Sequence, residues 1–282
     1  MMAGRFRRRL VSRVMTGATV LAATLAILPL ALIFADLLAK GASSLNWDFF
    51  VKSPAPPGEA GGGVANAIVG TLIVVGLGSA IGLPVGIGTG VYLAEFGSRR
   101  MGWTVRFIAD VLNGTPSIVV GIFVWTWMVK PMGHFSALAG GAALAILMIP
   151  MVTRTTEEMV RLVPHALREA ALALGYPRWR TSLVIVIRAA WPGILTGALV
   201  AVARIAGETA PLLFTTLGNL NFKIDVLQPM QTLSLQIYVY ATGPFDEWHR
   251  LAWGAALTLM ALVLMFGVAA RYATRSRGGH GG

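Results

Sequence analysis

The sequence predicts an all-α membrane protein with six transmembrane helices and both termini on the cytoplasmic side. Three observations lead there. Of the 282 residues, 56% are hydrophobic and 12% are charged, and an ordinary soluble domain carries about 25% charged residues. The apolar residues gather into six runs long enough to cross a hydrocarbon core, which takes about 20 helical residues. Lysine and arginine crowd into alternate connections between those runs.

The runs fall at 14–39, 64–93, 105–129, 135–152, 189–217 and 251–271. The first follows Arg5, Arg7, Arg8, Arg9 and Arg13. It is longer than the 7–15 apolar residues of a signal peptide, so an uncleaved span is expected. The connection 40–63 carries Pro54, Pro56, Pro57 and Gly61-Gly62-Gly63, and no segment is long enough for a soluble domain. The chain therefore reads as a single transmembrane domain, 1–282. Seventeen basic residues sit at the N-terminus, after the second and fourth runs, and in the C-terminal tail with Arg277; five, including Lys223 and Arg250, sit opposite. That asymmetry places both termini inside. It also accounts for the net charge of +11 as a topology signal and demotes nucleic acid as a partner.

The second run sets Gly78, Gly82, Gly86 and Gly90 at four-residue spacing around Pro84. On a helix they share one face, where small residues let another backbone come close. The third run holds Asp110 and then Asn113-Gly114-Thr115-Pro116-Ser117. Pro116 has no N–H to give, so the polar break must face protein or a wet cavity. It is either a kinked helix satisfied internally or part of the lining of a translocation path. In the fifth run, Arg204 and Glu208 are four apart, which predicts one helical face near mid-span, with Gly207 and Pro211 loosening the backbone. Charge inside a membrane span marks a functional site by default. A guanidinium also suits an oxyanion, although this does not separate phosphate from sulfate, molybdate or a carboxylate.

The loop 153–188 contains a punctuated short helix, with Pro164 before it and Gly175 and Pro177 after it. Leu167, Ala170, Ala171 and Leu174 form an apolar stripe. It would lie on the membrane or dock into a partner's groove. Among 218–250, the segment Gln228–Leu233 could be an outer gate or a docking loop. The chain has no cysteine. Its four histidines are His134, His165, His249 and His280, with two predicted on each side, and no H-E-x-x-H occurs. No metal site, cofactor or enzymatic centre is expected.

Glu169-Ala170-Ala171, then Gly175, then Ile185 is similar to the EAA loop of ABC-importer permeases. Where that pattern ends Ile-x-Leu-Pro, this chain reads Ile185-Val186-Ile187-Arg188. The stretch from Arg204 to Thr215 resembles the phosphate-importer permeases within that family. So do Arg154-Thr155-Thr156-Glu157, Gly114-Thr115-Pro116-Ser117 and Asn66-Ala67-Ile68-Val69-Gly70-Thr71. The resemblance implies a type I (MetI-like) permease fold in a bacterial inner membrane, importing inorganic phosphate; a permease for sulfate or molybdate is the alternative. It implies a substrate path through Arg204, Arg154, Glu208, Thr209 and Thr115. Coupling would run through Glu169, Ala170, Ala171 and Gly175. The implied partners are a homologous permease PstC, two PstB ATPase subunits and the periplasmic binding protein PstS.

Overall fold

The structure is a computed structural model that describes residues 2–275 except 57, 60 and 223. Pro57, Lys223, Arg277 and His280 lie outside the described residues. Among those described, every regular element is helical. The first helix, α1 (Met2–Ala42), rests on the last one at Gly41, where an added Cβ would stand 2.9 Å from the Leu257 Cβ. From Val11 to Ala42 its best apolar window is entirely unburied. A short helix, α2 (Trp47–Val51), is capped by the Asn46 side chain and buries Phe49. It leads into α3 (Ala65–Glu95).

The third predicted span, 105–129, is not one helix. It is α4 (Arg99–Gly114) and α5 (Ser117–Val124), set 101° apart across Thr115-Pro116. The residue before a proline is pushed out of the α region, and Thr115 is extended at φ −74°, ψ 130°. Its hydroxyl donates back to Val111 O at 2.8 Å, using one of the carbonyls the break releases. α5 continues through a π turn (Trp125–Val129) into α6 (Lys130–Met132). The fourth span is α7 (Ala137–Arg161), which runs nine residues past its predicted end at 152 because its charged residues find ion-pair partners.

After α7 come α8 (His165–Ala173) and α9 (Arg178–Arg180). A π turn (Thr181–Val186) joins α9 to α10 (Ile187–Ala206). The fifth span was predicted at 189–217. The helical run instead starts at Arg178 and stops at Ala206, with Gly207 as its C-cap. A separate helix, α11 (Ala210–Leu213), restarts with Pro211 in its first turn, where the missing N–H is no loss. Residues 218–250, predicted as loop, contain α12 (Leu233–Ala241), capped by the Thr232 hydroxyl. The chain closes with α13 (Asp246–Arg275). Counting the bent α4–α5 pair as one span, six helices are long and apolar enough to cross a membrane.

The core lies where α3 meets α7. Gly78, Gly82, Gly86 and Gly90 are all buried there. An added Cβ would sit 2.9 Å from Leu144 Cβ, 2.8 Å from Met148 Sδ, 2.7 Å from Val152 Cβ and 2.6 Å from Thr153 O, respectively. Gly141 answers from α7, with Leu77 Cβ at 2.6 Å from the same construction. Close backbone approach of this kind is how helices associate in lipid, where expulsion of water is not available.

Candidate functional site

The two broken spans meet. An added Cβ on Gly121 of α5 would lie 2.7 Å from Pro211 Cα of α11, so the helices that restart after each break touch directly. Beside this contact is a cavity of about 240 Å³. Asn113, Thr115 and Ser117 line it from the first break, and Arg204 and Glu208 from the second. Leu147 and Met151, near the middle of α7, form its wall. Irregular backbone at this depth is tolerated only around a protein-lined or watered space.

Arg204 occupies the last turn of α10, where the helix dipole favours a cation. Its side chain is exposed at the cavity. The N-terminus of α5, with Ser117, faces the same space and brings a partial positive charge. Glu208 follows the break, so it does not share a helical face with Arg204, and no salt bridge joins the two. The i, i+4 pair expected at mid-span is therefore absent. Both groups end on the wall of one cavity because the helix stops between them. The Glu208 carbonyl is held by the Ser234 hydroxyl at 2.9 Å. Thr209 stands at the N-cap position of α11 in the same break, without a side-chain capping bond, and is not among the cavity's lining residues.

Arg154 lies one turn beyond Met151, toward the arginine-rich end of α7. It makes a two-toothed bridge to Asp110 of α4, Nε to Oδ1 at 3.1 Å and Nη2 to Oδ2 at 3.2 Å. Next to it is a group the sequence reading assigned no role. The side chain of Glu157 is 4% exposed and receives Arg106 and Arg161, each at 2.7 Å, with Arg154 further off at 3.7 Å. The acid-base spacing 154, 157, 161 on one helix was the available signal. What it could not supply was Arg106, which arrives from α4.

At the same end, α8 presents Glu169 and Ala170 to the outside, while Ala171 packs inward. Gly175 has φ +82°, a left-handed turn that suits glycine and ends the helix. Leu167, Leu172, Leu174 and Trp179 are large apolar side chains left exposed around it. Arg168 ties this loop to three spans. It pairs with Glu95, the last residue of α3, at 2.8 Å, and it donates to the end carbonyls Val160 O and Val163 O of the α7 side. Glu95 also accepts from Ser182, in the π turn before α10, at 2.8 Å. This clamp was not foreseen, because its members come from three distant stretches of sequence.

Residues 86–277 match the family described as "binding-protein-dependent transport system inner membrane component". The phosphate transport system permease protein PstA of Yersinia pestis is 48% identical over 237 residues, covering 83% of this chain and 80% of that one. The protein of the same name from Haemophilus influenzae is 43% identical, covering 94% of each. Among solved structures, a bacterial ABC transporter for alginate, in complex with its pentasaccharide-bound periplasmic protein, aligns with a TM-score of 0.69 at 16% identity. That alignment covers 95% of this chain and 96% of the other. The inward-facing MetNI methionine ABC transporter aligns with a TM-score of 0.59 at 19% identity, covering 76% and 93%. At these identities the structural likeness is one of fold.

Proposed function

The chain belongs to the family of binding-protein-dependent transport system inner membrane components, and from that premise we propose that it is the membrane permease subunit of an ATP-driven importer of inorganic phosphate. The observation that carries the reading is the guanidinium of Arg204 set into a cavity between two broken spans, in a chain whose relatives are named phosphate permeases. Broken helices that aim their N-termini at a mid-membrane space are a recurrent way of holding an anion.

In this reading the anion enters the cavity and meets Arg204, the hydroxyl of Ser117 and the α5 N-terminus, with Thr115, whose own hydroxyl donates to Val111 O, in the same wall. Glu208 and Thr209 belong to the same path. The Glu208 carboxylate in the wall keeps binding weak enough for release. Arg154 stands one turn further along the route. Inward movement of an anion against the membrane potential costs about 2.3 kcal/mol per charge per 100 mV. The sequence contains no G-x-x-x-x-G-K-[ST] loop, so the work comes from a partner.

The partner ATPase docks on α8, around Glu169, Ala170, Ala171 and Gly175 and the exposed leucines beside them. Its movement passes through Arg168 to the ends of α3, α7 and α10. The complete assembly has a homologous permease PstC, two PstB ATPase subunits and the binding protein PstS on the other face. The arginine-rich ends face the cytoplasm of a bacterium, with both termini there, and the whole chain forms one transmembrane domain.

The test is uptake of radiolabelled phosphate into vesicles carrying the co-purified complex, with ATP and binding protein supplied. Uptake that needs ATP and is not reduced by excess sulfate or molybdate is expected. Equal competition by those oxyanions would overturn the phosphate assignment in favour of the broader oxyanion one.

A further inference from the structure

We propose that Asp110 is a gating residue of the transport path: its carboxylate occupies the Arg154 guanidinium in place of the travelling anion and closes the cavity floor until an anion displaces it. The inference rests on the transport reading above and deepens it.

Four observations carry it. The first is position. Asn113 of α4 and Met151 of α7 line the cavity. One turn further toward the arginine-rich end on each helix stand Asp110 and Arg154, bridged to one another across the gap. The second is geometry. Arg154 grips Asp110 through Nε and Nη2 at 3.1 and 3.2 Å, the forked arrangement with which arginine also takes an oxyanion such as phosphate.

The third is the contrast between the two carboxylates of this cluster. The side chain of Glu157 is 4% exposed and already holds Arg106 and Arg161 at 2.7 Å, so it is a fixed anchor. The side chain of Asp110 is 55% exposed and Arg154 is 36% exposed, so their bridge is open to exchange. An exposed bridge contributes little stability. The fourth is charge. Arg106, Arg154 and Arg161 face two carboxylates, Asp110 and Glu157, which leaves one positive charge in excess. An anion leaving Arg204 finds a cationic cluster whose exposed arm is held by a group it can replace.

α4 is pinned to α7 by two bridges of opposite sense, Arg106 to Glu157 and Asp110 to Arg154. Losing the second leaves α4 held at the first, and frees the stretch from Asp110 to the 101° break. The gate is thus a local swing of α4 about its buried anchor.

The experiment is efflux from vesicles that carry the intact complex and are preloaded with radiolabelled phosphate and glycerol, without ATP. For Asp110→Asn, phosphate efflux is expected to rise about fivefold, the ratio that loss of an exposed bridge can produce, with glycerol efflux unchanged. Asp110→Glu keeps the bridge and is expected to behave as the parent chain. Asp110→Ser is measured beside Asp110→Asn and should show the same selective rise, so that a folding defect in one variant does not decide the matter. Phosphate efflux unchanged in both neutral variants would overturn the gate. So would phosphate and glycerol rising together, which would mean a loosened helix. A parent complex without ATP-driven phosphate uptake would strike the transport reading itself, and that uptake is measured separately.

Discussion

Arg204 shows how one residue's meaning depends on its neighbours in space. On an intact helix it would pair with Glu208 one turn away. Here α10 ends at Ala206, and the two groups instead share a cavity wall without touching. The guanidinium is consequently free to meet a ligand. Replacing Arg204 with alanine is expected to lower ATP-driven phosphate uptake by about 10- to 100-fold, the loss of a charge-assisted hydrogen bond in the path. ATPase activity of the complex and its yield should stay near normal. Uptake at the parent rate in reconstituted vesicles would show that the anion does not pass this group. The residue was legible in the sequence as an out-of-place charge. Its separation from Glu208 was not, because apolar residues resume at once with Ala210, Leu212 and Leu213, which hides that the chain leaves α10 after Ala206 and restarts as α11. Gly207 and Pro211, expected to loosen one helix, instead mark the stop of α10 and the start of α11.

At the scale of elements, two helix contacts organise the molecule. The glycine face of α3 lets α7 approach until a single added methyl would overlap its neighbour. Gly86→Val puts three carbons where Val152 Cβ stands 2.7 Å from the first. A loss of about 1–3 kcal/mol is expected from such overpacking, read as a lower thermal midpoint of the purified complex. Ser12→Ala, at an exposed position just before the first apolar run, serves as the neutral control. The second contact is the Arg168 clamp, which joins α8 to the ends of α3 and α10 through Glu95. Glu95→Gln removes the charge that α3 offers to Arg168. Uptake should fall while ATP hydrolysis persists, because docking on the exposed face of α8 is untouched. A parallel fall in both rates would place Glu95 in assembly and not in coupling. The short helix was foreseeable from Pro164 and Gly175. The clamp was not, since residues 95, 168 and 182 meet only when three elements have packed.

In the proposed assembly the whole molecule is one of two permease subunits. α1 spans enough length to cross a bilayer and its apolar window is unburied. Arg204 is exposed at its cavity, and a charged group left facing hydrocarbon would cost about 2.5–3.5 kcal/mol even on the gentlest scales. In the proposed assembly a second permease subunit covers Arg204 and removes that penalty. Co-expression with a homologous permease and its ATPase is accordingly expected to yield one complex with two ATPase subunits, seen by native mass spectrometry, while the chain alone is recovered poorly. Recovery of a stable, monodisperse single chain in detergent, with no affinity for the partner subunits, would sink that expectation.

By itself the sequence determined that this chain crosses a membrane on about six helices, that its arginines mark one side, and that a small-residue face, a polar proline break and a buried-depth arginine are its unusual features. These are properties of composition and local spacing, which act over a turn or a span. The tertiary structure alone decided that the two breaks adjoin, that Arg204 and Glu208 face a common space without bonding, and that Glu157 gathers arginines from two helices. Those outcomes depend on which distant residues share a few ångströms. No periodicity along the chain encodes that, because electrostatic and packing partners are chosen only when helices have come together.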